Sequence, residues 1–248
     1  MSTPELTLHV VPLSHPCITV EAALDLKGLD YERVELQTGR HPKQIEEIYG
    51  EGNVTVPAMK AGDEQFNDSR SIMVKIEELA PDPPLYPAEN AGAIRDAEAW
   101  GEEVLQGAAR RLIWGALHFR PEAMGTYGGA GPLDPAGTDF AIRSLRGFWK
   151  YLGITAELLA ADLEQLRGHL NKVDELVAEG TIGGETPNAA DLQIASSLRM
   201  MLTIGDAAEQ IRDRPAEEVA LRVFPEYPGH IPAGAFPASW TSAPAGGG

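Results

Sequence analysis

Apolar residues occupy every second position near the amino terminus, at Leu6, Leu8 and Val10, and this period of two predicts a strand. The chain then reads as a helix over residues 18–27, bounded by Pro and Gly, and as a second strand over residues 31–36. A strand, helix, strand unit of this length normally places its strands side by side and parallel, through a right-handed crossover.

Two short strands and another helix follow. Residues 58–60 and 65–67 are separated by a tight turn and predict a pair of strands. The helix opens after Asp68 and carries Ile72 and Ile76 on one face. This part of the chain therefore has the predicted order β-α-β-β-β-α.

Beyond this order the apolar period becomes helical for the rest of the chain. We expect one long helix over residues 91–119, a Gly-rich loop over residues 127–137, and helix again over residues 139–179 with a break at Gly153. Apolar residues of the last segment recur at steps of four and three, as a core-facing stripe does: Leu159, Leu163, Leu166, Leu170, Val173 and Val177. A surface for a partner helix is the alternative interpretation of this stripe.

These patterns divide the chain into a first domain over residues 1–80, a Pro-rich linker over residues 81–90, an all-helical domain over residues 91–224 and a Pro/Gly-rich tail over residues 225–248. The tail carries aromatic residues that either fold back over a pocket or pack on the surface.

Composition narrows the function. The chain has 248 residues, of which 43% are hydrophobic and 23% charged, as in soluble globular proteins. Its formal net charge of −17 disfavours nucleic acid and anionic membranes as partners. It has neither an apolar run of about 18 residues nor a basic and apolar leader, so we expect a cytoplasmic protein.

Three features of the first domain have the order that a site for a thiol peptide needs. Ser14 stands at the turn from the first strand into the first helix, Val56-Pro57 precedes the third strand, and Asp68-Ser69 begins the next helix. The proline is either an ordinary trans residue at a strand edge or a cis residue. We expect the cis bond, because it would turn the backbone of Val56 toward a cleft where an extended peptide pairs with it.

This joint order and spacing resembles the thioredoxin-like amino-terminal domain of the glutathione transferase family. The resemblance implies that Ser14 contacts the glutathione sulfur, that Val56 before cis Pro57 pairs with the cysteinyl backbone, and that Asp68 and Ser69 hold the γ-glutamyl end. It also implies a helical-bundle second domain, glutathione as co-substrate and a homodimer.

The resemblance extends from residue 6 to about residue 215. In the second half, Asn188 and Asp191 stand where the family has a capping box before a helix, and Asn is a good cap residue.

Elementary chemistry supports the role of Ser14. A free cysteine thiol has a pKa of about 8.5, and only its thiolate is a strong nucleophile. Lowering that pKa by about two units requires nearly 3 kcal/mol, and a hydroxyl hydrogen bond to a charged acceptor supplies about 1.5–3 kcal/mol. The alternative is that Ser14 and Asp68 serve only as helix caps.

Arg40, His41 and Lys43 form a small basic cluster in the predicted loop before Val56. They either meet the glycyl carboxylate of a glutathione-like ligand or are simply solvated. The family often has Lys where this chain has Thr55, so the thiol is either glutathione or a related compound.

Cys17 is the only cysteine, and Ser14-His15-Pro16-Cys17 has the spacing of a Cys-x-x-Cys redox motif whose first Cys is replaced by Ser. We expect Cys17 to be packed rather than reactive, since free cysteine behaves mostly as a small hydrophobe. The histidines show no metal-ligand spacing, so no metal site is predicted.

The resemblance places the electrophile between the thiol site and the first long helix of the second domain. On that helix Arg110, Arg111, Trp114 and His118 share a face by their spacing and are candidates for the electrophile pocket. Exposed arginines and a core tryptophan are the alternative.

We therefore expect a dimeric detoxification enzyme that joins glutathione or a related thiol to a small apolar electrophile. Two alternatives stay open. One is another thiol-dependent enzyme on the same fold, such as an isomerase, a dehalogenase or a thiol-disulfide reductase. The other is a non-catalytic binding module that has lost the thiol.

Overall fold

The computed structural model describes residues 4–129 and 131–241. The chain forms two compact units. The first unit comprises Met1–Gly101 and Gly180–Ser196, and the second unit comprises Glu102–Glu179 and Ser197–Gly248. The first unit thus contains a segment from the far part of the chain, which the hydrophobic pattern did not indicate.

The first unit holds a mixed sheet with the strand order β2-β1-β3-β4. Its strands are Leu6–Val10 (β1), Glu32–Glu35 (β2), Ala58–Ala61 (β3) and Glu64–Phe66 (β4). β1 is parallel to β2 and antiparallel to β3, and β3 is antiparallel to β4. The alternation that predicted β1 is confirmed, because Leu6, Leu8 and Val10 are all buried.

The helices that belong wholly to the first unit are His15–Leu26 (α1), His41–Tyr49 (α2), Ser69–Leu79 (α3) and Ala91–Trp100 (α4). α1 begins three residues earlier than predicted, because Pro16 lies in its first turn, where the missing N–H breaks no helical hydrogen bond. Gly28 follows α1 with φ +62°, a conformation that favours glycine.

The predicted order β-α-β-β-β-α lacked α2 and is corrected to β-α-β-α-β-β-α. α2 is short, has Pro42 in its first turn, and buries only Ile45 and Tyr49, so its sequence shows no long apolar stripe. These two residues pack in a cluster with Val11, Leu36 and Ala58.

The remaining helices are Gln106–Phe119 (α5), Met124–Tyr127 (α6), Pro135–Tyr151 (α7), Ala156–Ala178 (α8), Ala189–Met201 (α9), Gly205–Ile211 (α10), Pro215–Val223 (α11) and Ala238–Thr241 (α12). A π-helical turn, Gly101–Leu105, joins α4 to α5, so helix is continuous over the predicted span 91–119. The predicted fold class, a thioredoxin-like domain followed by helices, is confirmed.

The break predicted at Gly153 is confirmed, and this residue has φ +61° between α7 and α8. The predicted loop over residues 127–137 is shorter, because α7 already begins at Pro135 behind the cap residue Asp134. Five residues of the predicted stripe are buried, but at its end Leu176 replaces Val177 in the core. The pattern therefore identified the buried face with a small error at its last turn.

The capping box at the start of α9 is confirmed. Asp191 N–H donates to Asn188 Oδ1, and Asn188 N–H donates to Asp191 Oδ2, each at 3.1 Å. Asn188 also donates through Nδ2 to the carbonyl of Thr181 at 2.8 Å. These bonds fix the entry of α9.

The tail packs on the second unit up to residue 241. The Asp206 carboxylate accepts the N–H groups of Gly234 at 2.6 Å and Phe236 at 2.9 Å. Arg120 donates to the carbonyl of Gly234 at 2.9 Å, and Phe236 is buried. Residues 242–248 of the predicted tail lie outside the described residues.

Within the described ranges, no helix has both the length and the apolar character needed to cross a membrane.

Candidate thiol-binding site

Four separate segments of the first unit meet at one end of the sheet. β1 and β2 are parallel, so the residues that follow both strands leave the sheet at the same end. β3 is antiparallel to β1 and begins at that end, and β4, antiparallel to β3, finishes there. The sheet thus brings together Ser14 after β1, residues 37–43 after β2, Val56-Pro57 before β3 and Asp68-Ser69 after β4.

The strand order fixes the sequence of these segments along the sheet end. The basic cluster comes first, Ser14 second, Val56-Pro57 third and Asp68-Ser69 last. Neighbouring strands are about 4.8 Å apart, and an extended tripeptide spans about 10 Å, roughly two of these spacings. An extended tripeptide lying across the strand ends therefore has the length needed to reach several of the predicted contacts.

Ser14 is the cap residue of α1, but its hydroxyl bonds none of the first amides of the helix. The turn before it closes with Ser14 N–H donating to the Val11 carbonyl at 3.4 Å, and Leu13 has φ +63°. With Pro12 at its second position this is the pattern of a type II turn, which usually places Gly where Leu13 stands. The geometry therefore gives no support to a purely capping role for the Ser14 hydroxyl.

Cys17 is fully buried in the first turn of α1. Burial raises the pKa of its thiol to about 12, against smaller lowering effects from hydrogen bonds with the Ser14 side chain and the Val11 backbone. This burial supports the packing role predicted for Cys17.

We expect Cys17 in the folded protein to be inert at neutral pH toward a chromogenic disulfide reagent, because almost no thiolate is present and the sulfur is inaccessible. The folded protein should release no chromophore, and the unfolded protein should release one equivalent. Rapid reaction of the folded protein would contradict this prediction.

The same shift predicts a pH dependence of stability. The folded-state pKa of Cys17 lies above its reference value of 9.0, so the unfolded chain loses its proton first as the pH rises. The contribution of this group to the free energy of unfolding is complete below pH 9 and is lost between pH 9 and about 12. Urea unfolding of the wild type and of Cys17→Ala over this range measures it, and the variant should show the smaller fall.

The Val56-Pro57 bond is cis, as predicted. Pro57 is buried, and Val56 packs against the cluster beneath α2. Thr55 Oγ1 donates to the carbonyl of Asn67 at 3.2 Å, which ties this segment to the residue before Asp68.

Asp68 caps α3. Its Oδ1 accepts the N–H of Ser71 at 2.7 Å, and its Oδ2 accepts the Ser71 hydroxyl at 2.8 Å. The carboxylate is exposed, so capping leaves it accessible to an ammonium group, while Ser69 beside it is buried. Ser71 was missed from the sequence, although a Ser three residues after an Asp cap is a local signal for such a bond.

The sequence pattern predicted a loop for the basic cluster, and this prediction is wrong, because the cluster lies at the start of α2. Arg40 is the residue before α2, His41 is the first residue of that helix, and Lys43 lies in its first turn. Lys43 is exposed and pairs with Glu47 at 3.8 Å. Burial lowers the pKa of His41, so Arg40 and Lys43 carry the positive charge of the cluster at neutral pH.

The four residues predicted for the electrophile pocket all lie in α5. Arg110 is half-buried, and the other three contact helices of the same unit. Arg111 donates through Nε and Nη2 to Asp162, each at 2.6 Å. Trp114 stacks on Phe148 with ring centroids 4.5 Å apart, and the His118 ring lies 4.2 Å from that of Trp149. These contacts give Arg111, Trp114 and His118 packing roles, and their part in binding an electrophile stays a prediction.

The ion pair between Arg111 and Asp162 is expected to stabilise the fold. Arg111→Met should lower the free energy of unfolding by about 1–2 kcal/mol, because the Asp162 carboxylate, whose side chain is 8% exposed, loses a bidentate partner. Urea denaturation measures the change. The double variant Arg111→Met, Asp162→Leu should recover part of the loss, and no recovery would mean that the packing of the arginine stem, rather than its charge, sets the effect.

The part of the chain that the structure describes contains no group of three or more His, Cys, Asp or Glu residues arranged to hold a metal ion.

Comparison with known proteins relates this geometry to a family. Residues 8–84 match the family model described as "Glutathione S-transferase, N-terminal domain". Glutathione S-transferase Z1 of Arabidopsis thaliana is 40% identical over 73 residues, which are 28% of this chain and 32% of that protein. The chain therefore matches about a third of the length of this curated relative.

Solved structures share the fold over most of the chain. The β-etherase LigF from Sphingobium sp. strain SYK-6 is 16% identical, with a TM-score of 0.64, over 88% of this chain and 93% of that one. A glutathione transferase homologue from sulfitobacter, solved with bound glutathione, is 13% identical, with a TM-score of 0.54, over 88% and 91% of the two chains.

The sequence match to the glutathione S-transferase N-terminal domain thus covers residues 8–84, and over the rest of the chain the similarity to solved structures is one of fold. The resemblance stated from the sequence is thus confirmed.

Proposed function

We propose that the protein is a glutathione transferase-like enzyme that joins glutathione, or a related thiol, to a small apolar electrophile. The observation that carries this proposal is the meeting of four chain segments at one end of the sheet, in an order that matches the parts of an extended thiol tripeptide. The match of residues 8–84 to the glutathione S-transferase N-terminal domain and the bound glutathione of the sulfitobacter homologue support the choice of thiol.

In this proposal the tripeptide lies across the strand ends with its γ-glutamyl group at Asp68 and Ser69. The exposed Asp68 carboxylate attracts the ammonium group, and the amino terminus of α3 attracts the carboxylate beside it. The backbone of Val56, turned by the cis bond, pairs with the cysteinyl residue. The glycyl carboxylate then points along the sheet end toward Arg40 and Lys43.

The thiol is placed at Ser14, whose hydroxyl donates a hydrogen bond to the sulfur once the thiol proton has passed to solvent water. This bond stabilises the thiolate relative to the thiol and so lowers the pKa of the bound ligand. The thiolate attacks the electrophilic carbon, a carbon–sulfur bond forms, and the leaving group departs with the electron pair of the bond that breaks. No side-chain nucleophile is required, because the ligand supplies the sulfur.

The burial of Cys17 argues against one rival, a thiol-disulfide reductase. Such an enzyme needs an accessible thiolate at its own cysteine, whereas Cys17 is fully buried and its pKa is raised to about 12. Isomerase and dehalogenase chemistry use the same thiolate, and the fold does not select among them, since a β-etherase shares it.

We further propose that the protein works as a cytoplasmic homodimer in detoxification, with Arg110, Arg111, Trp114 and His118 near the electrophile. The formal net charge of −17 agrees with the absence of nucleic acid among its proposed partners.

Calorimetry with glutathione, followed by product analysis with a chlorodinitrobenzene and other apolar electrophiles, tests the proposal. We expect saturable binding and a thioether product. Binding without turnover over a broad panel would favour a non-catalytic module, and the absence of binding would overturn the proposed function.

A further inference from the structure

Two buried hydroxyl groups join the helix behind Ser14 to a distant part of the chain. Thr19 lies on α1 and Ser196 on α9, both are 0% exposed, and both belong to the first unit. Their hydroxyl oxygens are 2.8 Å apart, although the residues are separated by 177 positions in sequence. This contact therefore fixes α1 against a helix that belongs to the far part of the chain.

The contact is part of a small network. Thr19 Oγ1 also lies 3.1 Å from the carbonyl oxygen of His15, and Ser196 Oγ lies 3.1 Å from that of Gln193. Each hydroxyl has a single proton, so Thr19 donating to Ser196, and Ser196 to the Gln193 carbonyl, uses both protons. In this arrangement neither hydroxyl is left without a bond in the buried interior.

The Thr19–Ser196 contact lies next to the first turn of α1 in sequence. His15 follows Ser14 directly, and the N–H of Ile18 donates to the Ser14 carbonyl at 3.0 Å. Thr19 follows Ile18 directly. A shift of the Thr19 side chain is therefore expected to move the backbone turn that the Ile18 N–H closes onto the Ser14 carbonyl. A site that works by one hydrogen bond to sulfur is sensitive to such shifts, since a misplacement of about 1 Å can cost about a hundredfold in rate.

We propose that Thr19 and Ser196 are positioning residues that hold the Ser14 hydroxyl where it meets the thiol. This inference rests on the proposed function for the role of Ser14. It adds that the segment Gly180–Ser196 contributes to the thiol site without touching the ligand.

The test compares Thr19→Val and Ser196→Ala with a matched control. Ser197→Ala removes the same hydroxyl from the adjacent position of α9, where the Ser197 oxygen is buried and has no hydrogen-bond partner within the described residues. We expect both test variants to lower kcat for glutathione conjugation by about three- to tenfold, the range of one lost neutral hydrogen bond. KM for glutathione should change by less than about twofold, because the binding groups are untouched.

A conservative variant separates the hydroxyl from the bulk of the side chain. Thr19→Ser keeps the hydroxyl and should retain most of the wild-type kcat, whereas Thr19→Val should not. Equal kcat values for Thr19→Val, Ser196→Ala and Ser197→Ala would overturn the proposal, and so would a loss in Thr19→Ser as large as in Thr19→Val.

A second measurement needs no ligand, so it distinguishes a failure of this inference from a failure of the proposed function. Amide hydrogen exchange of Ile18 and Thr19 should be about three- to tenfold faster in Ser196→Ala than in Ser197→Ala, because the first turn of α1 opens more easily. If the wild type neither binds nor converts glutathione, the proposed function fails and this comparison still decides whether the pair anchors the turn. Equal exchange in the two variants would overturn the anchoring.

Discussion

Ser14→Ala should lower the turnover of glutathione with an apolar electrophile at neutral pH by about ten- to a hundredfold. This range corresponds to the loss of a hydrogen bond of about 1.5–3 kcal/mol to a charged sulfur, at about 1.4 kcal/mol for each factor of ten. The alkaline limb of the pH-rate profile should move upward by about one to two units, because the bound thiol then ionises at a higher pH. The affinity for glutathione should fall less than turnover does.

Cys17→Ala is the control for Ser14→Ala, because Ser14 is the cap residue of α1, Cys17 lies in the first turn of that helix, and their side chains contact each other. The cysteine variant should keep both turnover and pH profile and lose some thermal stability, as expected when a packed thiol is replaced by a smaller group. If Cys17→Ala lost activity and Ser14→Ala kept it, the proposed transferase would have to be replaced by a redox enzyme.

Asp68→Ala should weaken glutathione binding by about 1–3 kcal/mol, the range for leaving a charged partner unsatisfied. It should also lower the free energy of unfolding by about 1 kcal/mol, because Asp68 caps α3 through two bonds to Ser71. Calorimetry measures the first effect and urea denaturation the second.

Asp134→Ala separates the two effects of Asp68→Ala. Asp134 caps α7 by accepting the N–H of Gly137 at 2.7 Å, the same distance at which Asp68 accepts the N–H of Ser71. The control should lose a similar amount of stability and no affinity. Asp68→Asn keeps a cap residue and removes the charge, so it should lose affinity alone. Unchanged dissociation constants in both Asp68 variants would remove this residue from the site.

The elements that the sequence predicted well are those in which local chemistry determines the structure. The alternation of β1, the break at Gly153 and the capping box of Asn188 and Asp191 all depend on residues close together in the chain. The candidate site was also predicted from short local motifs, and the cis bond predicted before Pro57 is present.

The features that the sequence missed depend on distant partners or on weak patterns. α2 has only nine residues, and its apolar residues Ile45, Ile48 and Tyr49 cover about one turn, which is too short a pattern to separate from a loop. Arg111 was placed in a pocket by its spacing on α5, but its partner Asp162 is 51 residues away and leaves no local signal. The bond between Thr19 and Ser196 could not be predicted for the same reason.

The first unit is built from two separate stretches of chain, and this affects the design of fragments and chimaeras. A fragment ending at residue 84, where the family match stops, would lack Gly180–Ser196 and expose the face of α1 that Ser196 covers. A longer fragment that keeps Leu85 would still leave its carbonyl without the N–H of Ala189, which it accepts at 3.0 Å. A swap of the thiol-binding half between relatives therefore has to transfer two stretches of chain, and a single cut at the Pro-rich linker would pair α1 with a foreign α9.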